Sequence, residues 1–405
     1  CSFKDQLSQN INLTYNFIDK IEIFCLVLQN KLSEAQLLNS IMQETEIKKD
    51  ENFQTLFLYL YDQDYINNSD TFSFSEKINS DLIFLYSAMA RIAELPLNQK
   101  FLDVDSTNMA IPIILNKSSP KELRIKAANQ SFINKTISID SLAALYQSVD
   151  FDSSQFDNPK QTIEELSNNV EIIMSFYFQL INIQIFPSER LEALISFWNF
   201  AKTNNLEEIA YSLTYKITDS IEITSDYLLE SPQISTSYIY NGDYEKAVAW
   251  IDFYENANGI DDQSTFVKIL LDLYTSENLD KILNTISENF DKLIDKDNYR
   301  NEELIYVLFE ILDKKQDKNL KQNFNNVYDD RQMPSLFINE NIINSIENKN
   351  DNDFLIYPII SLNNKNWNDI HPNHLKIILY GYLEYEKNDL IKKIILEIFK
   401  NYKIL

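Results

Sequence analysis

Apolar residues recur every three or four positions along most of the chain, which is the spacing of one face of an α-helix. Near the N-terminus, Ile18, Ile21, Cys25 and Leu28 share such a face. Short polar runs such as 29–31 separate these segments, and helices joined by a few polar residues form antiparallel hairpins. The sequence therefore predicts an all-α fold, in which stacked antiparallel helical hairpins form an irregular α-solenoid.

The start of shorter helices at residue 95 and a polar linker at 151–159 divide the predicted helices into three parts. Residues 1–94 are expected to form N-terminal helical hairpins, residues 95–159 a short-helix segment with a linker at 151–159, and residues 160–405 a helical-repeat array. In the third part, the apolar pattern predicts one long helix over 163–184 and a second over 188–203. Pro187 marks the turn between them.

The stretch 241–250, NGDYEKAVAW, is the most informative part of the array. Gly242 is expected to end one helix in the left-handed region, and Asp243 to cap the next one. Ala247 is small enough for close helix approach, and Trp250 is expected to fill the groove. The stretch is similar to the turn of tetratricopeptide-like repeats, in which a Gly-Asp-Tyr-x-x-Ala unit joins paired helices.

Several segments together resemble an uncharacterised family of helical proteins from alphaproteobacteria, some of which carry a misleading "antifreeze" label. The similar segments are 24–28, 32–42, 120–128, 142–146, 242–250 and 379–399. The resemblance implies an all-α fold and a longer parent chain on the N-terminal side, and it implies no activity. Where the family places Gly or Ala at hairpin turns, this chain has Asn and Lys.

The composition of the chain disfavours several fold classes and several classes of partner. The 405 residues include 3 Gly, too few for the tight turns and phosphate loops of sheet proteins, whereas helical hairpins are expected to need few positive-φ residues. The formal charge of −25 disfavours binding to nucleic acid, because such a surface repels phosphate backbones. No stretch approaches the roughly 18 apolar residues of a membrane span, so no transmembrane segment is expected.

The two cysteines leave alternatives open. Cys1 and Cys25 could form a disulfide in an oxidising compartment, or they could be separate thiols with Cys25 on an apolar helix face. Cys1 could carry the lipid anchor of a cleaved lipoprotein, although a fragment boundary is favoured. Both the bacterial cytoplasm and the periplasm remain open as the compartment.

Catalytic, metal and cofactor sites are not predicted. His371 and His374 are three residues apart, as two metal ligands on a helix could be, but the intervening Pro-Asn favours a solvated turn. Paired carboxylates such as Glu164-Glu165 and Glu207-Glu208 are expected on the solvated helix faces of an acidic chain. Together with the aromatic residues, they leave open an all-α enzyme that acts on glycan or peptidoglycan.

A protein–protein interaction scaffold without catalytic activity is the favoured function. It would bind partners through a groove of stacked helices. The alternatives are the glycan-active enzyme and a periplasmic lipoprotein with a structural role. Tyr and Trp are enriched at binding hot spots, and one aromatic-rich stretch is therefore predicted to supply exposed partner-binding anchors. Its members are Tyr238, Tyr240, Tyr244, Trp250, Phe253 and Tyr254.

Overall fold

The computed structural model of the protein describes residues 15–42, 50–61, 72–75, 77–289, 333–362 and 367–401, and five single residues, Glu303, Val307, Leu308, Glu310 and Arg331. All regular secondary structure in these ranges is helical, which confirms the all-α prediction. The chain divides into two compact units, Cys1–Leu213 and Thr214–Leu405. The predicted boundaries after residues 94 and 159 do not coincide with this division, and they stay predictions.

Helices that follow one another in the first unit pack together, as α1 on α2, α6 on α7 and α11 on α12. An apolar cluster extends from Ile23 in α1 to Ala127 in α7, so the first helices and the short ones after residue 95 share a core. The helices are α1 (Tyr15–Leu28), α2 (Leu32–Met42), α3 (Glu51–Tyr61), α4 (Ile83–Ile92), α5 (Gln99–Val104), α6 (Ser106–Leu115), α7 (Lys121–Ile133), α8 (Ile139–Gln147), α9 (Ser153–Asp157), α10 (Pro159–Glu165), α11 (Val170–Ile183), α12 (Pro187–Thr203) and the first part of α13 (Glu207–Thr218).

In the second unit, α14 packs on α15, α18 on α19 and α20 on α21, and α16 contacts both α17 and α21. Leu375 and Leu379 in α20 and Ile391 and Ile395 in α21 are buried in one cluster, as the apolar pattern of these two segments predicts. The helices are α14 (Ser231–Tyr240), α15 (Tyr244–Asn258), α16 (Asp262–Thr275), α17 (Leu279–Glu288), α18 (Leu336–Glu347), α19 (Asp351–Leu362), α20 (Pro372–Glu384) and α21 (Asn388–Asn401).

Three-residue linkers with a left-handed middle residue recur between successive helices. The middle residues are Asn30, Asn205, Gly242, Lys349 and Glu386, with φ between 51° and 77°. The third linker residue donates its N–H to a carbonyl five residues earlier, as Lys31 does to Leu26 at 2.9 Å, which is the Schellman bond of a helix C-terminus. Among the described residues, two glycines and six other residues have positive φ, so this fold needs few such residues, as expected, although most of them are not glycine.

Within the described residues, no helix combines the length and the apolar character that a membrane crossing requires.

Candidate functional site

A cavity of about 660 Å³ opens in the first unit between the short helices α9 and α10 and the long pair α11 and α12. Its volume lies in the range of pockets that hold a small molecule or several side chains of a partner. The lining combines apolar and charged residues: Phe156, Asp157, Asn158, Pro159, Lys160, Gln161, Ile163, Tyr177, Leu180, Gln184, Glu189, Glu192, Ala193 and Ser196.

A helix break that the apolar pattern did not predict shapes this cavity. The single helix expected over 163–184 is wrong, because α10 ends at Glu165 and α11 begins at Val170. Asn169 caps α11, since its side-chain oxygen accepts a hydrogen bond from the Ile172 N–H at 3.2 Å. The linker expected at 151–159 likewise contains α9, so two short helices form one wall of the cavity.

Aromatic packing fixes this wall to α11. The rings of Phe156 and Phe176 are parallel within 9°, with centroids 5.2 Å apart. Phe151 meets Phe176 edge-on at the same centroid distance of 5.2 Å. In addition, the buried Thr162 hydroxyl donates a hydrogen bond to the Gln155 carbonyl at 2.8 Å, which ties α10 to α9. The wall is therefore held by packed side chains as well as by chain connectivity.

The floor of the cavity is apolar apart from one phenol. Leu180 and Ala193 are buried, and the half-buried Tyr177 packs its ring against Phe197 and Phe200 at centroid distances of 5.9 and 5.7 Å. The Tyr177 hydroxyl makes no hydrogen bond to another described residue. Burial raises the pKa of Tyr177, so the phenol stays protonated at neutral pH and is able to donate a hydrogen bond to a ligand.

Four exposed charged side chains surround the opening: Asp157, Lys160, Glu189 and Glu192. None of them forms an ion pair with another residue in the described ranges. Three carboxylates and one ammonium group give the lining a net charge of −2. Because Glu189 and Glu192 are three residues apart on α12, they lie on the same helix face.

The turn between α11 and α12, in which Gln184 lines the cavity, carries exposed apolar side chains. Ile185 is 82% exposed and Phe186 is 64% exposed, and Ile183 beside them is also exposed. Arg190 holds this turn, because its Nε donates a hydrogen bond to the Gln184 carbonyl at 3.0 Å. The apolar side chains are thus presented to solvent from a fixed turn, next to the acidic rim.

Three of the six predicted partner-binding residues lie in the core of the second unit. Tyr238, Trp250 and Tyr254 are buried, so the expectation that they are exposed is wrong. The Tyr238 hydroxyl donates to the Thr218 carbonyl at 3.0 Å, and the Tyr254 hydroxyl to Asp261 at 2.6 Å. These rings are buried because α14 and α15 are joined by a short turn and pack closely, which encloses the side chains between them.

The other three predicted anchors, Tyr240, Tyr244 and Phe253, are half-buried. Tyr240 and Tyr244 both pack near Tyr274, with ring centroids 6.1 and 6.5 Å away. Phe253 lies edge-on to Trp250. Their role in binding a partner stays a prediction, and the structure does not bring the six residues together on an exposed surface.

The turn at 241–243 has the local structure that the sequence predicts. Gly242 has φ of +77°, and the Asp243 side chain caps α15 at the Lys246 N–H. Lys246 also pairs through its Nζ with Asp219 and Asp243, and hydrogen bonds to these carboxylates raise its pKa. Ala247 is buried where α14 and α15 meet. This arrangement forms a structural corner.

The two histidines have separate structural roles. His371 caps α20, because its Nδ1 accepts a hydrogen bond from the Asn373 N–H at 3.1 Å. His374 is buried, with its Nε2 2.8 Å from the Ser361 hydroxyl, so the interpretation as a solvated turn is wrong for this residue. Among the described residues, no group of three or more His, Cys, Asp or Glu side chains is arranged to hold a metal ion.

Cys25 is buried on α1 and is disulfide-bonded. Cys1, the other cysteine of the chain and the predicted disulfide partner and lipidation site, lies outside the described residues.

No family model, no curated protein and no solved structure matches the chain.

Proposed function

We propose that the protein is an interaction scaffold, in which helical hairpins stack as an α-solenoid and the cavity between α9–α10 and α11–α12 receives part of a partner protein. The observation that supports this most strongly is a cavity that combines buried apolar residues with charged side chains that form no ion pair with another described residue, next in the chain to a turn with exposed aliphatic and aromatic side chains. Partner-binding pockets use such an arrangement, because apolar contacts supply affinity and rim charges supply orientation.

The cavity suits binding better than glycoside hydrolysis. A glycosidase places two carboxyl groups on opposite sides of the bond that is cleaved. Asp157 belongs to one wall of the cavity and Glu189 and Glu192 to the other, but all three are exposed to water, whereas the general acid of a glycosidase needs a shielded environment that keeps it protonated. Two carboxylates on one helix face give a directional negative patch, which is suited to steering a partner toward the opening.

Site-specific crosslinking in the native cell tests this function. A photoreactive residue at Ser196, inside the cavity, is expected to give a discrete adduct with a partner protein. The matched control places the same residue at Lys202, which is exposed on α12 but does not line the cavity. A second variant, Gln161→Trp, adds a large ring at an exposed rim position and should suppress the Ser196 adduct without disturbing the core.

Two results would contradict the scaffold function. Adducts of equal yield from Ser196 and Lys202, unaffected by Gln161→Trp, would mean that the cavity is not the binding site. Hydrolysis of peptidoglycan by the wild type that is lost in the Glu189→Gln/Glu192→Gln variant would instead establish an enzyme.

A further inference from the structure

The chemistry of the cavity also specifies the kind of partner. We infer that the cavity binds a positively charged segment of a partner protein, in which Lys or Arg side chains alternate with large apolar ones. This inference rests on the proposed scaffold function and deepens it by naming the ligand class.

The charged residues of the cavity are complementary to a cationic ligand. Asp157 approaches the opening from the end of α9, whereas Glu189 and Glu192 approach it from α12. The carboxylates thus belong to both walls, and Lys160 is the single cation of the lining. Because none of these side chains is paired with another described residue, a cationic partner gains their interaction without breaking an internal ion pair. The chain's formal charge of −25 adds long-range attraction for the same kind of partner.

The apolar residues of the cavity favour a ligand that carries large apolar side chains beside its positively charged ones. Leu180, Ala193 and Ile163 line the interior, and Phe156 and Tyr177 present partly accessible rings. A Leu or Phe side chain would bury apolar surface there, which a purely cationic segment such as oligolysine would not do. The exposed side chains at the α11–α12 turn extend this apolar contact beyond the cavity.

The hydroxyl of Tyr177 supplies a directional contact. Tyr177 lines the cavity, and its hydroxyl has no hydrogen-bond partner among the described residues. A peptide carbonyl would accept its proton, and a guanidinium group would donate to its oxygen. Aromatic faces also attract guanidinium groups, so an Arg that enters between Phe156 and Tyr177 would gain a cation–π contact.

Fluorescence anisotropy with defined peptides tests the inference on the full chain. The probe is a labelled peptide that alternates Arg and Leu, and the matched peptide replaces every Arg by Gln. The protein variants are Asp157→Asn/Glu189→Gln/Glu192→Gln and a control with the same change in charge, Glu122→Gln/Glu245→Gln/Asp252→Asn. The control residues are exposed and lie outside the cavity.

We expect the Arg-Leu peptide to bind the wild type and the control variant equally well, and the cavity variant roughly tenfold more weakly, since three rim contacts are lost. Equal weakening in both variants would overturn the inference, because it would show attraction to the overall charge alone. Equal binding of the Gln-Leu peptide would also overturn it, while leaving the scaffold function intact.

Absence of peptide binding separates the two proposals. If the Ser196 crosslink forms in cells but neither peptide binds, the scaffold function stands and the inferred ligand class is wrong. If the crosslink is also absent, both proposals fail. Circular dichroism checks that each variant is folded. A cavity variant that unfolds is replaced by Gln161→Trp, which should block the Arg-Leu peptide by filling the opening.

Discussion

The α14–α15 pair and the α9–α12 region both place aromatic rings beside a helix break, and they use these rings differently. Between α14 and α15, the linker has three residues, the helices pack closely, and Tyr238 and Trp250 are buried. Between α10 and α11, the break is one residue longer, and the preceding helices are short. Tyr177 is left facing an open cavity. The two regions thus differ in their connections, and they also differ in whether an aromatic ring is enclosed in the core or borders a cavity.

The hydroxyl groups show the same contrast. Tyr238 and Tyr254 donate hydrogen bonds to Thr218 and Asp261, as buried polar groups in a structural core do. The Tyr177 hydroxyl has no such partner in the described part of the chain. A polar group that faces a cavity without a partner is available to a ligand, so the hydrogen-bond pattern separates the structural aromatics from the candidate binding one.

The largest effect is expected at Trp250. Trp250→Ala removes a fully buried ring from the α14–α15 core and should lower the free energy of unfolding by about 3–5 kcal/mol. Phe186→Ala is the matched change at an exposed aromatic of the cavity edge, where the loss should stay within about 0.5 kcal/mol. Urea denaturation followed by circular dichroism measures both. Similar losses at the two positions would break the distinction between core and surface aromatics.

An effect of intermediate size is expected at the turns. Gly242→Ala forces a side chain into the left-handed region, although a Cβ would meet no atom within 4 Å, so the cost is conformational and about 1 kcal/mol. At the end of α12, Asn205 has φ of 58°, and Asn205→Gly should stabilise the protein by roughly 0.5 kcal/mol. Thermal unfolding of the two variants should therefore shift in opposite directions. A shift in the same direction would contradict the account of these linkers.

Periodicity predicted the all-helical class, because helix formation depends on the local spacing of apolar residues. The corner at 241–250 and the apolar faces of α20 and α21 follow directly from residue type and position. The left-handed conformation of Lys349 and Glu386 could not be predicted in this way, because these residues have no intrinsic preference for it. The conformation accompanies the helix C-terminal hydrogen bonds from Asn350 to Ser345 and from Lys387 to Tyr382.

The cavity was much harder to predict. Its floor belongs to the apolar helix around 170–186, which has the sequence pattern of an ordinary core helix, and its wall comes from a stretch that looks like a linker. The run Ser167-Asn168-Asn169 was the available signal, since Asn is a frequent helix cap and could have indicated the break before Val170. Whether Phe156 and Tyr177 meet across a cavity depends on tertiary packing, which no local pattern specifies.

The smallest expected effect concerns the pKa of Tyr177 in the first unit, which is compared with the pKa of Tyr382 in the second unit. Burial raises the pKa of Tyr177 and also that of Tyr382 in the second unit. Because the folded pKa exceeds the unfolded value of about 10, each phenol contributes stability that is fully present below that pH and is lost as the pH rises through the folded pKa. Tyr177→Phe and Tyr382→Phe should each remove one phenol that ionises above pH 10 from the alkaline ultraviolet titration.

Filling the cavity then distinguishes the two phenols. Gln161→Trp would cover the opening above Tyr177, and the added desolvation should raise the pKa of Tyr177 further, while the titration of Tyr382 stays unchanged. The titration curve of each phenol is the difference between the protein that contains it and the matching Tyr→Phe variant, and this difference is measured with and without the Gln161→Trp change. If the Tyr177 curve does not move, the phenol does not face the opening. In that case Tyr177 would belong with Tyr238 and Tyr254 as a structural aromatic, and the hydrogen-bonding part of the ligand argument would fail.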